Sequence, residues 1–322
     1  MNLVRLGILG CARIAPAAAL RPARSLARVQ VVAVGSRDLE RARRWAKRHR
    51  IPKAYGTYDE VLTDPEVDAV YIPLPNSLHA EWSMRALAVG KHVLCEKPLA
   101  MNGDEAERMA EAAERSGLVA MQAVHYRFHP LTARVVDVVR AELGELRRIA
   151  FAFSVPVPLP RDIRWDARLG GGAAMDLGTY GVDYACLLTS GAPEVLTAAG
   201  AVTRRGVDRS FEATLAFPDG VEARLRGSLL GPPWARLDVE GTRGELSVLN
   251  PILPQVFHRL RVRVDGTARS ERIRDGTTYR HQLATFVDCI HEGRRPPTPF
   301  SDAVGTMRVV DAVRRLIGVE VP

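Results

Sequence analysis

Asp176, Tyr180 and Asp183 stand at i, i+4 and i+7, so on a helix they share one face and present a carboxylate, a phenol and a second carboxylate in a row. Gly170 to Gly172 precede them and would let the backbone pass close to a ligand. Such a face suits proton transfer at an alcohol or carbonyl oxygen. A second group is Glu96-Lys97-Pro98, which closes an apolar run. The chain has 45 basic residues, yet lysine occurs only at Lys47, Lys53, Lys91 and Lys97. Arginine cannot release a proton near neutral pH, whereas lysine can.

A third group is Gly10-Cys11-Ala12-Arg13-Ile14-Ala15, between a strand-like run and a helix-like one. That is the context of a dinucleotide fingerprint. Gly10 can take the tight turn, the helix start offers N–H groups to a pyrophosphate, and Ala15 allows close helix–strand packing. Ala12 stands where the pattern wants its second glycine. The next strand ends Val34-Gly35-Ser36-Arg37, with no carboxylate before Asp38. A hydroxyl beside a guanidinium cradles a 2′-phosphate, which selects NADP over NAD. The competing reading makes Arg37 a solvated turn residue and Ser36 or Asp38 a helix cap.

The elements that must position these groups alternate through the first third. Strand signals at Leu3–Leu9, Val29–Val34, Ala54–Tyr55, Ala69–Ile72, His92–Cys95 and Val119–Ala123 enclose helix signals at Ile14–Leu26, up to His49 from an Asp38 cap, Tyr58–Leu62, Leu78–Val89 and Glu105–Ser116. The pattern predicts a parallel sheet with helices on both faces. Beyond residue 124 a helix from Leu131 to Glu142, a strand from Leu146, a Pro-rich loop to about Pro160 and a helix over Gly170–Leu188 lead into six strand-like segments between Val195 and Val264. Those predict a mostly antiparallel sheet. The last helices, near Tyr279–Glu292 and Ser301–Leu316, have no partner in that sheet and are candidates to pack back on the first domain. The fold class is therefore α/β: a Rossmann dinucleotide-binding domain over 1–124, then an α+β domain over 125–322 with a large open sheet.

Composition narrows the classes. Apolar residues are 47% and charged residues 25% of 322, as in globular proteins. No apolar run spans a bilayer and no leader is read at the start, so the chain is expected to be cytoplasmic and free of membranes. Cys11, Cys95, Cys186 and Cys289 are too scattered for a zinc site or a disulfide framework. The net charge of +8 and the basic run from Arg41 to Arg50 look like a solvated helix face, which argues against nucleic acid.

Together with Pro75-Asn76-Ser77-Leu78-His79, the Gly171–Asp183 segment and Gly241-Thr242-Arg243-Gly244-Glu245-Leu246, these motifs resemble the glucose-fructose oxidoreductase, inositol dehydrogenase and rhizopine-catabolism (Gfo/Idh/MocA) family across nearly the whole chain. With tyrosine at 180, where many members carry histidine, the chain looks most like NADP-dependent D-xylose and dihydrodiol dehydrogenases and sugar ketoreductases. The resemblance implies that Lys97 reaches the reacting oxygen, that the Lys97–Pro98 peptide is often cis, and that the second sheet builds homodimers or homotetramers. It implies cofactor contacts at Gly10, Cys11, Ala12, Arg13, Ile14, Ser36, Arg37, Pro73, Leu74, Asn76, His79, Glu96 and Lys97. A free phenol titrates near ~10. An ammonium ~4 Å away at an effective dielectric of ~20 would favour phenolate by up to ~4 kcal/mol. Tyr180 is accordingly assigned as general acid/base, Lys97 as its electrostatic partner and Asp176 as an orienting carboxylate, with the first two roles exchangeable.

His125 and His129 have metal-ligand spacing, but no glutamate follows His125 and Pro130 ends the run, so no metal is expected. His125, Arg127, Arg164, Trp165 and Asp183 are instead candidate contacts for a small sugar-like substrate. Two other functions stay open within the same fold: an NAD-dependent glycosidase, which Ser36-Arg37 disfavours, and a non-catalytic NAD(P)-binding regulator, which Lys97, Asp176 and Tyr180 disfavour.

Overall fold

The computed structural model describes residues 3–157 and 162–322; the end of the expected Pro-rich loop, at 158–161, lies outside the described residues. The chain divides into two compact units. The first holds Met1–Ala100, Asp104–His125 and Tyr279–Val304, and the second holds Met101–Gly103, Tyr126–Thr278 and Gly305–Pro322. The units thus differ from two contiguous stretches meeting at 124, because a late segment returns to the first.

In the first unit, β1 (Val4–Leu9), β2 (Val29–Gly35), β3 (Lys53–Tyr55), β4 (Ala69–Ile72), β5 (His92–Glu96) and β6 (Ala120–Ala123) form a parallel sheet in the order β3-β2-β1-β4-β5-β6. β4 and β6 are buried throughout, as expected of strands covered on both faces. The connecting helices are α1 (Arg21–Arg24), α2 (Leu39–His49), α3 (Tyr58–Thr63), α4 (His79–Ala88) and α5 (Gly103–Ser116). Asp38 caps α2 by accepting the Arg41 N–H at 3.0 Å, and a Thr57/Glu60 capping box starts α3; each satisfies donors that a helix start leaves unpaired. Strand order reverses between β1 and β4, and ligands of such sheets bind beyond the carboxyl ends of the strands at that point. The helix expected from Ile14 begins instead with a π-helical turn, Pro16–Leu20, which runs into α1.

The second unit contains α6 (Pro130–Ala141), β7 (Leu146–Ser154), α7 (Thr179–Leu188), β8 (Glu194–Val202), β9 (Asp208–Ala216), β10 (Glu222–Ser228), β11 (Trp234–Gly241), β12 (Gly244–Leu249), β13 (Arg259–Val264) and β14 (Thr267–Glu271). Its sheet runs β14-β13-β12-β11-β7-β10-β9-β8, and pairing is antiparallel except between β7 and β10. α7 lies close to this sheet at Gly181, where a Cβ would come within 2.9 Å of the Phe151 ring. β14 is unanticipated; Asp265 and Gly266, at φ 47° and 82°, make the tight turn that folds it onto β13.

Arg134 of α6 and Arg269 both hold Glu271 of β14, at 2.7 and 2.8 Å. Hydrogen bonds from Arg134, then Arg269, hold the Glu271 carboxyl at about 2, below an unfolded value near ~4.3. The stabilisation is therefore complete above the unfolded value and is lost as pH falls through about 2. Glu271→Gln is expected to cost about 1–2 kcal/mol at pH 7, and thermal melts of both proteins should converge as pH drops toward 2.

α8 (Thr278–Glu292) and α9 (Phe300–Leu316) end the chain. α8 buries Leu283, Phe286, Val287 and Cys289. The stretch after it bridges β6 through Met121 and Pro299, and the Gln122 N–H donates to the Thr298 carbonyl at 2.9 Å. These contacts bring 279–304 into the first unit. No helix among the described residues is long and apolar enough to cross a membrane.

Candidate active site

The turn after β1 is built around Gly10, at φ 99°, where a Cβ would stand 2.9 Å from the Leu74 side chain. Glycine is thus required both by the backbone and by the approach of the turn after β4. Cys11 is buried and Ala12 half-buried, while Arg13 and Ile14 are exposed. Ser36 is buried at the end of β2, beside the Cys11 thiol, which burial pushes up. Arg37 reaches the Tyr58 hydroxyl, which itself lies 4.0 Å from the Gly10 Cβ position. Arg41 donates to the Cys11 carbonyl at 3.3 Å. Two guanidiniums, a hydroxyl and a turn entering a helix therefore converge, a donor set that fits a phosphate-bearing nucleotide.

Lys97 follows β5, and its peptide to Pro98 is cis. Glu96 accepts the Tyr71 hydroxyl at 2.6 Å and the Lys97 N–H at 3.3 Å. His79 is fully buried, with Nδ1 2.8 Å from the Pro98 carbonyl and Nε2 2.9 Å from the Leu74 carbonyl. With both ring nitrogens engaged by backbone, it ties the turn after β4 to the turn after β5. His125 is buried with its ring 4.4 Å from that of Tyr279. Burial, then the nearby Lys97 ammonium, pushes His125 down to about 3, so at neutral pH it is uncharged and adds no cation beside Lys97.

In the second unit Asp176 lies in a π-helical turn, Ala174–Gly178, that runs into α7. The wider turn breaks the simple i, i+4, i+7 row. Asp176 accepts Arg164 Nε at 2.6 Å, and Arg164 also holds Asp162 at 3.1 Å. Tyr180 packs its ring edge-on to Phe153, 5.4 Å between centroids, and at 5.7 Å from Tyr126. Asp183 takes a hydrogen bond from the Tyr126 hydroxyl and pairs with Arg127 Nε at 3.1 Å; burial raises its pKa, opposed by Arg127 and Tyr126. Arg127 and Asp183 therefore pair with each other, and the Tyr126 hydroxyl shares the same carboxylate. Trp165 is buried and offers no open ring for a sugar face. Gly171 and Gly172 also need no ligand to explain them, since Cβ atoms there would lie 2.5 Å from the Arg164 carbonyl oxygen and 2.1 Å from an Asp208 oxygen.

Residues 4–124 match an oxidoreductase family with an NAD-binding Rossmann fold, GFO/IDH/MocA, and residues 134–247 match its C-terminal domain. The chain belongs to the GFO/IDH/MocA family. It is similar to an uncharacterised oxidoreductase of Rhizobium meliloti, 39% identical and covering 98% of this chain and 97% of the relative. It is also similar to a D-xylose 1-dehydrogenase (NADP+) of Haloferax volcanii, 37% identical over 95% of each chain. Among solved structures, a 3-ketoreductase from Actinomadura kijaniata in complex with NADP and TDP-benzene superimposes with a TM-score of 0.92 at 32% identity, covering 98% of both chains. That ketoreductase has also been solved with a tyrosine replaced by phenylalanine and with a lysine replaced by alanine.

Within this GFO/IDH/MocA chain, the sequence reading placed Arg41 on a solvated helix face and passed over Asp208. Arg41 lies in α2 whereas Arg37 precedes its Asp38 cap, so only the folded chain brings Arg41 to the Cys11 carbonyl. Asp208 accepts the Ala174 N–H at 2.7 Å from a distant strand, a contact that no local pattern announces.

Proposed function

We propose that the chain is an NADP(H)-dependent oxidoreductase acting between a secondary alcohol, or hemiacetal, and the corresponding carbonyl of a sugar or sugar-like polyol. The observation that carries this reading is the convergence of Ser36, Arg37 and Arg41 on the Gly10 turn. The xylose dehydrogenase and the ketoreductase complexed with NADP support both the cofactor and the substrate class. The nucleotide phosphates would be held by Ser36, Arg37, Arg41 and the turn amides, with Pro73, Leu74 and Asn76 along the β4 side. When bound, the nicotinamide supplies the acceptor or donor of hydride.

The chain's own residues supply the rest. Tyr180 removes the hydroxyl proton as the carbonyl forms, and returns it in the reverse direction. Lys97 stabilises charge on that oxygen. Asp176, aimed by Arg164, binds a neighbouring hydroxyl. We further propose a cytoplasmic homodimer or homotetramer that forms through the open sheet of the second unit. Its exposed rows hold cross-strand pairs such as Arg148–Glu240 and Arg263–Glu245. Sedimentation should give at least twice the 35.3 kDa chain mass; a monomer at working concentration would remove that part.

The activity is tested by following nicotinamide absorbance with NADP(H) and NAD(H) against pentoses, hexoses, ketosugars and aromatic dihydrodiols. Turnover with NADP(H) on a polyol-like substrate is expected. NADPH binding with no turnover across the panel would favour the regulator, and bond cleavage without net cofactor change the glycosidase.

A further inference from the structure

We propose that Asp208, on β9, is a positioning residue whose carboxylate holds the entry turn of the helix bearing Asp176 and Tyr180. Asp208 is fully buried, and its Oδ2 accepts the Ala174 N–H at 2.7 Å. The residue at the cap position, Ala173, has no side-chain hydrogen bond to give, so the acceptor comes from across the unit. Gly172, at φ 123°, leaves the room, because a Cβ would lie 2.1 Å from Asp208 Oδ1. Three residues further along β9, the Phe211 ring stands 3.1 Å from a Cβ at Gly178. One strand therefore braces both ends of the π-helical turn.

The charged group that faces Asp208 from α9 is Arg314, which is buried, donates to the Met101 and Glu320 carbonyls at 3.1 and 2.8 Å, and lies 3.8 Å from Asp311. Burial pushes the Asp208 carboxyl up to about 6, against the opposing pull of the Ala174 and neighbouring amides and of Arg314. As the pH falls through that value, the anion at the positive end of the helix becomes a weaker, neutral acceptor. The linkage to stability has the opposite sign. The folded value lies above the ordinary carboxylate value of 3.8, so the folded chain favours the protonated form, and ionisation costs stability as pH rises. Activity and stability at this residue should therefore move in opposite directions.

This inference rests on Tyr180 acting as the acid/base. The test compares the wild type with Asp208→Asn and Asp208→Ala in kcat and KM between pH 5 and 8, in thermal melts, and in hydrogen exchange of amides 173–178. For Asp208→Asn we expect kcat at pH 7.5 about tenfold lower, as a displaced catalytic group would give, with the KM for NADP+ little changed. The acid limb near 6 should disappear, the melting temperature at pH 8 should not fall, and the 173–178 amides should exchange faster. Wild-type kcat with an intact acid limb, or a kcat loss that tracks a falling melting temperature at every pH, would overturn the proposal. If Tyr180→Phe kept full turnover while Asp208→Asn still loosened 173–178, the acid/base reading would fail and the hold on the helix would stand.

Discussion

Tyr180→Phe and Lys97→Ala are each expected to lower kcat at least ~100-fold, the scale of a lost general acid/base, while NADPH binding and the melting temperature stay near wild type. The phenyl ring of Tyr180 already packs against Phe153 and Tyr126, so deleting the hydroxyl leaves that packing in place. Lys97 follows a strand whose core, Val93 to Cys95, is buried without it. If the two groups act as one unit, the double variant should lose little more than either single one, because removal of one partner already disables the other. Steady-state rates with the best substrate of the panel check this. Near-normal rates in both single variants would refute the assignment.

Arg37→Asp is expected to raise the KM for NADP+ by ~10–100-fold and to make NAD+ the better cofactor. Hydrogen bonds to a charged group contribute ~1.5–3 kcal/mol. The substitution exchanges such a donor for a carboxylate that repels a 2′-phosphate but accepts from a ribose hydroxyl. Arg41→Ala should act in the same direction and more weakly, since its guanidinium is already committed to the Cys11 carbonyl. Measuring kcat/KM for both cofactors decides it: an unchanged NADP+/NAD+ ratio in Arg37→Asp would mean that the discriminating group lies elsewhere.

Local chemistry was the legible part of this sequence. The six strands of the first sheet and the Asp38 cap could be read because alternation, burial and capping act over a few residues. The turns at Gly10 and after β5 were equally visible. What could not be read depends on contacts between segments far apart in the chain. β14 has charge at alternate positions and little apolar content, and only the Asp265-Gly266 turn marks it. The row of Asp176, Tyr180 and Asp183 looked like one α-helical face until a wider turn separated the first carboxylate, and the third proved to be bound to Tyr126 and Arg127. His79 was expected beside the cofactor from the family resemblance alone. Its ring spans two backbone carbonyls, which only the folded turns bring within reach of one imidazole. The glycines before Asp176 were noticed for the right property, close approach, but the approaching groups are the Arg164 carbonyl at Gly171 and Asp208 at Gly172.

The path of the chain bears on how such proteins can be recombined. The nucleotide-binding unit is assembled from three separate stretches, Met1–Ala100, Asp104–His125 and Tyr279–Val304. A hybrid made by a single crossover near residue 124 would inherit its sheet from one parent and Leu283, Phe286 and Val287 from the other, forcing unrelated surfaces to share a core. Exchange of cofactor preference between relatives is thus better attempted by grafting the Ser36–Arg41 loop than by swapping halves, and a library built on the single crossover should be rich in insoluble members.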